Sequence, residues 1–437
     1  MLSDADIREQ LSLVPPLKAT GRVTGIKGPI IHAVLPRVVV GELCLIHRTT
    51  LPPLKAQVIG FSEHEVRLSP FDFPRDISPG AKVHATGGLP SIEISDDCLG
   101  TIVDAYGDVL SGANATYSTL RAKLPIDNDP PPPLTRVRIT QQLFTGIRAI
   151  DAFCPIGHGQ RIGLFAGPGL GKSTLLGTIA RNAQVDIVVI ALVGERGREV
   201  QEFITDSLGE RQLKKSIVVV ATSDESPLKR SAAPLAATAY AEYFRKQGKN
   251  VLLLVDSLTR TARALRDVSL AAGELPVRQG YTPSVFSALP RLLERAGNDE
   301  RGSITAVYTL LTNDSEESDP LAEEVKSLLD GHLVLNSSTA NEGIRPAIDV
   351  VSSLSRLTSQ LCSSDILDYV CTIRQSLALI KKERDFLLLG GVPSPALAIA
   401  LGNYPAMKAF LTQKMGENDT SPLLPKIKAL AERLKKF

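Results

Sequence analysis

Between residues 20 and 90 short apolar runs alternate with turn residues. The runs are Arg22–Ile26, Ile30–Leu35, Val38–Ile46 and Gln57–Phe61, with Gly21, Gly28 and Pro36 between them. Several short strands at that spacing predict a small β-barrel. A polar, Gly-rich stretch follows and ends in Asn128, Asp129 and Pro130–Pro133. A proline run enters neither a sheet interior nor a helix, so residues 91–135 read as a connecting segment. The texture then changes to β-branched or Leu-rich runs of strand length: Arg161–Ala166, Asp186–Val193, Ser216–Ala221, Val251–Val255, Ser303–Leu311 and His332–Leu335. Helical periodicity lies between most of them, as over Ser173–Asn182 and Ala233–Gln247. Continuous apolar strands alternating with helices predict a parallel sheet covered on both faces. Beyond about residue 361 strand signals stop, and Ile366–Phe386 and Pro422–Lys436 read as helices. The predicted order is an N-terminal segment (1–19), a β-barrel (20–90), the connector (91–135), an α/β core (136–360) and a helical domain (361–437).

One stretch requires a membrane test. Phe386–Met407 carries no charge and is long enough to span a bilayer. Gly390, Gly391, Pro393, Pro395 and Pro405 would break a spanning helix repeatedly, which predicts a turn and a short buried helix over Ala396–Leu401. The first residues, with Asp4, Asp6 and Glu9, do not form a secretory signal. Asp4–Leu13 could instead form one amphipathic helix touching a membrane or partner. The chain reads as soluble.

Composition removes other classes. Lys and Arg number 49 against 47 Asp and Glu, a net charge of +2, with no basic block of the kind a nucleic-acid binder carries. The five cysteines (Cys44, Cys98, Cys154, Cys362, Cys371) are scattered and never in a CxxC pair. They read as reduced thiols, and protein ligands alone do not suggest a metal site.

The chemistry concentrates in Ala166-Gly167-Pro168-Gly169-Leu170-Gly171-Lys172-Ser173, directly after one predicted strand and before a helix. This is the phosphate-cradling loop in its broader form, with Ala166 where the strict pattern has Gly. Small residues let backbone N–H groups wrap phosphates, and the helix N-terminus adds a positive dipole end. Lys172 then reaches the β- and γ-phosphates, and the Ser173 hydroxyl is a ligand for Mg²⁺. The apolar run Val251–Val255 ends in Asp256, where a second Mg²⁺-organising carboxylate is expected. Glu195, in Gly194-Glu195-Arg196-Gly197-Arg198-Glu199, follows another apolar strand. It stands on the edge where open α/β sheets bind ligands and could polarise a water, or simply begin a solvated helix. Position leaves both readings open.

Gly194–Val200, Asp256-Ser257-Leu258-Thr259-Arg260, Pro283-Ser284-Val285-Phe286 and Leu289–Gly297 together resemble the rotary and export ATPase family. That family includes the catalytic β subunits of ATP synthases, flagellar export ATPases and ATPases of type III secretion injectisomes. The resemblance covers residues 20–360 well and the tail loosely. It implies a RecA-like P-loop ATPase core with an N-terminal β-barrel and a C-terminal helical domain, hydrolysing MgATP. It makes Glu195 the catalytic carboxylate, where non-catalytic subunits generally carry Gln. It carries Arg356 over as an arginine that reaches a neighbouring subunit's site, and adds Arg198 to the catalytic candidates. Gly167, Pro168, Gly169, Leu170, Gly171, Lys172, Ser173, Thr174, Asp256, Arg196, Arg260 and Arg345 are the implied nucleotide-binding residues, with Ser173 and Asp256 on the metal. Arg345 departs from the pattern, since catalytic members usually place an aromatic residue there to stack on adenine; a guanidinium plane can stack instead.

Thr261–Val268 and Asp319–Val325 resemble the injectisome branch more than the flagellar one. That branch implies a homohexameric ring at the cytoplasmic face of the inner membrane, releasing chaperones and unfolding secretion substrates. Its implied partners are central stalk and peripheral stator proteins and chaperone–substrate complexes, with no nucleic acid. Val277–Tyr281 matches a loop facing the ring's central channel, or is an ordinary surface turn. Three other readings stay in play: a flagellar export ATPase, a nucleotide-binding rotary subunit without turnover, and a hexameric RNA translocase. Glu195 opposes the second, and the missing basic cluster opposes the third.

Overall fold

The computed structural model describes residues 19–112, 121–312, 319–384, 386, 389–414, 417 and 422–434. The N-terminal reading over Asp4–Leu13 lies outside them.

Six strands, β1 (Thr20–Lys27), β2 (Ile30–Val34), β3 (Leu43–Ile46), β4 (Leu54–Phe61), β5 (Val66–Pro70) and β6 (Lys82–Ala85), close into a barrel in the order β1-β2-β5-β4-β3-β6. Alternation aims Ile31, Ile46, Leu54, Ala56, Leu68 and Val83 inward, where all are essentially inaccessible. Register shifts at Val23/Gly25 and Val58/Gly60 supply the bends that closure requires. The run Val38–Val40 is not strand: Arg37 turns the chain at φ 54° and Val39 and Val40 are exposed. β-Branched sequence loses there to a turn that breaks the ladder.

In the second unit, β7 (Ser91–Ile94) pairs with β10 (Ala122–Pro125), while β8 (Ile102–Val103) and β9 (Val109–Ser111) join the main sheet. The segment expected to connect thus contributes edge strands. The sheet continues through β11 (Arg161–Ala166), β12 (Ile187–Val193), β13 (Ser216–Ala221), β14 (Asn250–Asp256), β15 (Ser303–Leu311), β16 (Gly331–Leu335) and β17 (Leu354–Ser355). Its order is β17-β16-β11-β15-β14-β12-β13-β8-β9. Strands β16 through β8 in that order are mutually parallel. Every residue of β12 and β13 is buried, as continuous apolar runs require when helices cover both faces.

Helices α1 (Arg148–Phe153), α2 (Lys172–Asn182), α3 (Gly197–Glu202), α4 (Pro227–Lys246), α5 (Leu258–Ala271), α6 (Pro283–Leu293) and α7 (Pro320–Leu328) belong to the core. Helices α8 (Ser364–Lys382), α9 (Pro395–Leu411) and α10 (Leu423–Leu434) form the tail. The buried stripe Val370, Ile373, Leu377, Met407, Leu411, Ile427 and Leu430 is continuous with the core cluster. Helix α9 starts as expected, with Pro395 in its first turn and Ser394 accepting from Leu397 N at 3.3 Å. It then runs past Leu401 and through Pro405. Burial of Met407 and Leu411 offsets the roughly 3 kcal/mol that an interior proline costs. Among the described residues no helix is long and apolar enough to cross a membrane.

Polar clamps fasten tail to core. Arg148 Nε donates to Phe410 O at 2.9 Å and Arg374 Nη2 to Phe153 O at 2.7 Å. Gln413 donates Nε2 to Gly146 O at 2.7 Å, accepts from Arg148 N at 3.0 Å, and donates its backbone N–H to Arg345 O at 2.7 Å.

Candidate active site

The C-terminal ends of β11, β14 and β12 deliver three loops to one sheet edge, the position where parallel α/β sheets bind ligands. After β11 the chain makes its glycine turn, with φ of 75° at Gly169 and 83° at Gly171. Only glycine enters that left-handed region without strain, and Gly171 there forms the N-cap of α2. Lys172, Ser173 and Thr174 are consequently the first residues of that helix, so their free N–H groups and the dipole end face one point.

β15 lies between β11 and β14, so Lys172 must reach across a full strand to meet Asp256. It does so, with Nζ 2.5 Å from Oδ1. Thr309, on the intervening strand, donates to the same oxygen at 2.8 Å. Asp256 is buried, and this pair of donors compensates its charge. Glu195 closes the cluster from β12. Its Oε1 is 3.8 Å from Lys172 Nζ and its Oε2 is 2.7 Å from Arg260 Nη1. Arg260 arrives from α5 across Gly194, where a Cβ would stand 2.9 Å from Arg260 Cδ. Gly194 is therefore required by close approach as well as by its φ of 67°.

Burial pushes Glu195 up to about 7, helped by its hydrogen bond with Glu199 and by the Asp256 charge; Lys172 and Arg260 pull the other way. Glu199 is held below the usual carboxylate range mainly by that same hydrogen bond. A carboxyl poised near neutrality is suited to proton transfer.

Ser173, Glu195 and Asp256 line a cavity of about 410 Å³ that also meets Glu199, Glu202 and Asp206. Ser173 Oγ and Asp256 are the hard oxygen donors beside the loop. Among the described residues no cluster of three or more His, Cys, Asp or Glu could chelate a metal unaided. Two protein oxygens suit a cation such as Mg²⁺, which keeps waters and takes further ligands from substrate phosphates.

A second cavity, about 450 Å³, is lined by Gly169, Leu170 and Gly171 of the loop, by Arg345 and Pro346, and by Gln413 from beyond α9. Arg345 is thus at a nucleotide-sized opening. Gly167, Pro168 and Gly169 form the loop itself. The remaining candidates are elsewhere. Arg196 and Arg198 are mostly in solvent, ion-paired at 3.8 Å with Glu199 and at 3.1 Å with Glu202. Arg356 is exposed beside the edge strand β17, its backbone N–H on Asp330 O. Within one chain it does not join the cluster. Thr309 and Gln413 join these residues although neither stands in a recognisable sequence motif.

Residues 146–355 match the nucleotide-binding domain of the ATP synthase alpha/beta family, and residues 23–87 match that family's beta-barrel domain. The flagellum-specific ATP synthase of Treponema pallidum is 42% identical over 91% of this chain and 90% of its own length. This chain belongs to the ATP synthase alpha/beta family. The type 3 secretion system ATPase of Pseudomonas syringae pv. tomato is also 42% identical, over 93% of this chain and 92% of its own. The assembled ATPase EscN of the enteropathogenic E. coli type III secretion system superposes with a TM-score of 0.87 at 40% identity, covering 95% of this chain and 100% of that one. As a family member with these relatives, the chain is a P-loop ATPase of type III protein export, built as a RecA-like core with an N-terminal barrel and a C-terminal helical domain.

Proposed function

We propose that this chain works as a homohexameric MgATPase of an injectisome, with Lys172, Ser173, Asp256, Glu195 and Arg260 forming each site and Arg356 completing the neighbour's. The carrying observation is the convergence of Lys172, Asp256, Glu195 and Arg260 from four elements on one sheet edge.

Lys172 leaves Asp256 for the β- and γ-phosphates, which the backbone N–H groups of the loop surround. Ser173 Oγ and the freed Asp256 would hold Mg²⁺, which would supply neutralisation of charge on the phosphate oxygens. Glu195, steadied by Arg260, orients the water and accepts its proton. The water oxygen bonds to the γ-phosphorus as the bond to the β–γ bridging oxygen breaks, leaving ADP and phosphate. Arg356 of the adjacent subunit stabilises charge on the transferring group from its exposed position. A trans role accounts for a residue that is not part of its own chain's cluster.

EscN has been solved assembled and with its central stalk EscO. By that likeness the ring surrounds a stalk, with the turn at Val277–Tyr281 facing the channel. Peripheral stator proteins, chaperone–substrate complexes and a peripheral place at the inner membrane's cytoplasmic face complete the reading. Flagellar relatives of equal identity make a flagellar export role the second reading. Phosphate release by purified protein should require Mg²⁺ and cease in Glu195→Gln. Restoration of effector secretion, and not motility, in strains lacking each native ATPase supports the injectisome assignment; the reverse result replaces it.

A further inference from the structure

We propose that Gln160 is a positioning residue for Arg356: it fixes the main chain from which that arginine extends, and so serves the neighbouring subunit's site rather than its own. The proposal rests on the reading of Arg356 as the residue that completes the adjacent site.

Gln160 is fully buried, although glutamine belongs to the mostly exposed residue types. Its amide is used on both sides. Oε1 accepts from Gly157 N at 2.8 Å, while Nε2 donates to Asp330 O at 3.1 Å and to Ser355 Oγ at 3.0 Å. Arg356 N donates to that same Asp330 O at 2.9 Å. One side chain therefore binds both the residue before Arg356 and the carbonyl that holds the Arg356 N–H. Ser355 is secured further, its Oγ donating to Pro155 O at 2.8 Å and its carbonyl accepting from Thr358 Oγ1 at 2.7 Å.

Asp330 is itself anchored. Arg161 N and Nε both donate to its Oδ2 at 3.1 Å, and Arg161 Nη2 donates to Oδ1 at 3.2 Å. Gly331 lies opposite Ser355, and a Cβ there would stand 2.5 Å from Leu354 O, so β17 approaches β16 as closely as only glycine permits. Gln160 and Arg161 open β11, and the phosphate loop follows its other end. The strand that presents one subunit's loop thus begins at the seat of the arginine it lends.

A seat matters because the Arg356 guanidinium is unsupported within its own chain. Among the described residues it makes no hydrogen bond or ion pair there, so its placement derives from its main chain. A misplacement of about 1 Å at a reacting centre costs about a hundredfold in rate.

The test uses the full chain with Gln160→Met, which keeps the side chain's length and gives up all three bonds. Its kcat should fall by about ten- to a hundredfold, while displacement of a fluorescent nucleotide from the loop stays within about twofold of wild type. Single-turnover hydrolysis on co-assembled mixtures then assigns the defect. Gln160→Met with Lys172→Ala should regain activity, as Arg356→Ala with Lys172→Ala does, and Gln160→Met with Arg356→Ala should show no gain. Both changes in one chain should cost less than about twofold beyond Arg356→Ala alone, because the residues act through one group. A Gln160→Met protein at the wild-type rate overturns the proposal. So does one that complements Arg356→Ala but not Lys172→Ala, since it has damaged its own loop. If Arg356→Ala with Lys172→Ala stays inactive, the shared-site reading itself fails and takes the proposal with it, a result that involves no change at Gln160. Should Gln160→Met not fold, Ser355→Ala removes one of its two acceptors and should give the same complementation pattern with a loss of about three- to tenfold; Ser355→Ala at the wild-type rate overturns the proposal equally.

Discussion

Lys172 Nζ lies 2.5 Å from Asp256 Oδ1, a pairing that crosses the strand standing between them. In the proposed mechanism each partner also has a role toward nucleotide, which would make the pair both structural and catalytic. Lys172→Ala should reduce hydrolysis by about a thousandfold or more, because the loop loses its cation on the phosphates. It also leaves the buried Asp256 carboxylate with Thr309 alone, a loss on the order of 3 kcal/mol. Asp256→Asn removes that charge, so its thermal midpoint should exceed that of Lys172→Ala, and the double variant should recover part of the difference. Phosphate-release assays and melting curves on the three proteins check both halves. A Lys172→Ala protein as stable as Asp256→Asn refutes the compensation argument.

Glu195 sits at about 7, raised by burial first. Its ionised form is the one that accepts a proton, so turnover at saturating nucleotide should fall as pH drops through neutrality and level off above it. Glu195→Gln should bind nucleotide with wild-type affinity and turn over at least about a hundredfold more slowly at every pH. Affinity falling in step with rate would assign Glu195 a structural role.

Arg260 lowers the Glu195 pKa that burial raises. Arg260→Ala should therefore move the acid limb of the rate profile to higher pH, with activity lost at pH 7 and partly regained in alkaline buffer. Gly194→Ala, which puts a methyl 2.9 Å from Arg260 Cδ, should shift the limb the same way without altering any charge. Unmoved limbs in both proteins would remove Arg260 from the site.

Specific activity should rise steeply with protein concentration if Arg356 acts in trans. Arg356→Ala should lose about a thousandfold in rate while keeping the affinity of the loop. Mixing Lys172→Ala with Arg356→Ala should restore partial activity, since some interfaces then join an intact loop to an intact arginine. Single-turnover measurement on co-assembled rings distinguishes a dead interface from strict cooperativity around the ring. Full activity in a verified monomer excludes the shared site.

The residues most legible in sequence were those whose function depends on adjacency. Gly167–Ser173 announces itself because loop and helix start are contiguous, and the core strands because both faces are buried. The two-residue strand Ile102–Val103 could not be seen, being shorter than any periodicity. Val38–Val40 misled because β-branched residues also occupy turns. The extent of α9 was hidden because its proline is tolerated only once Met407 and Leu411 are buried. Thr309 carries no local signal: its hydroxyl matters through a partner far along the chain. The partition of the arginines was equally nonlocal. Arg260 is drawn to Glu195 by the fold, while Arg196 and Arg198, two and four residues from Gly194, stay with neighbouring glutamates in solvent.

Gln413 binds the core at Gly146 and Arg148, the wall of the second cavity at the Arg345 carbonyl, and the end of α9 through its own position two residues on. Three parts of the chain therefore share one joint, and that joint is a wall of the cavity. The cavity cannot widen or narrow at this wall without moving Gln413, and with it the end of α9. Tail and cavity wall are latched together at a single side chain.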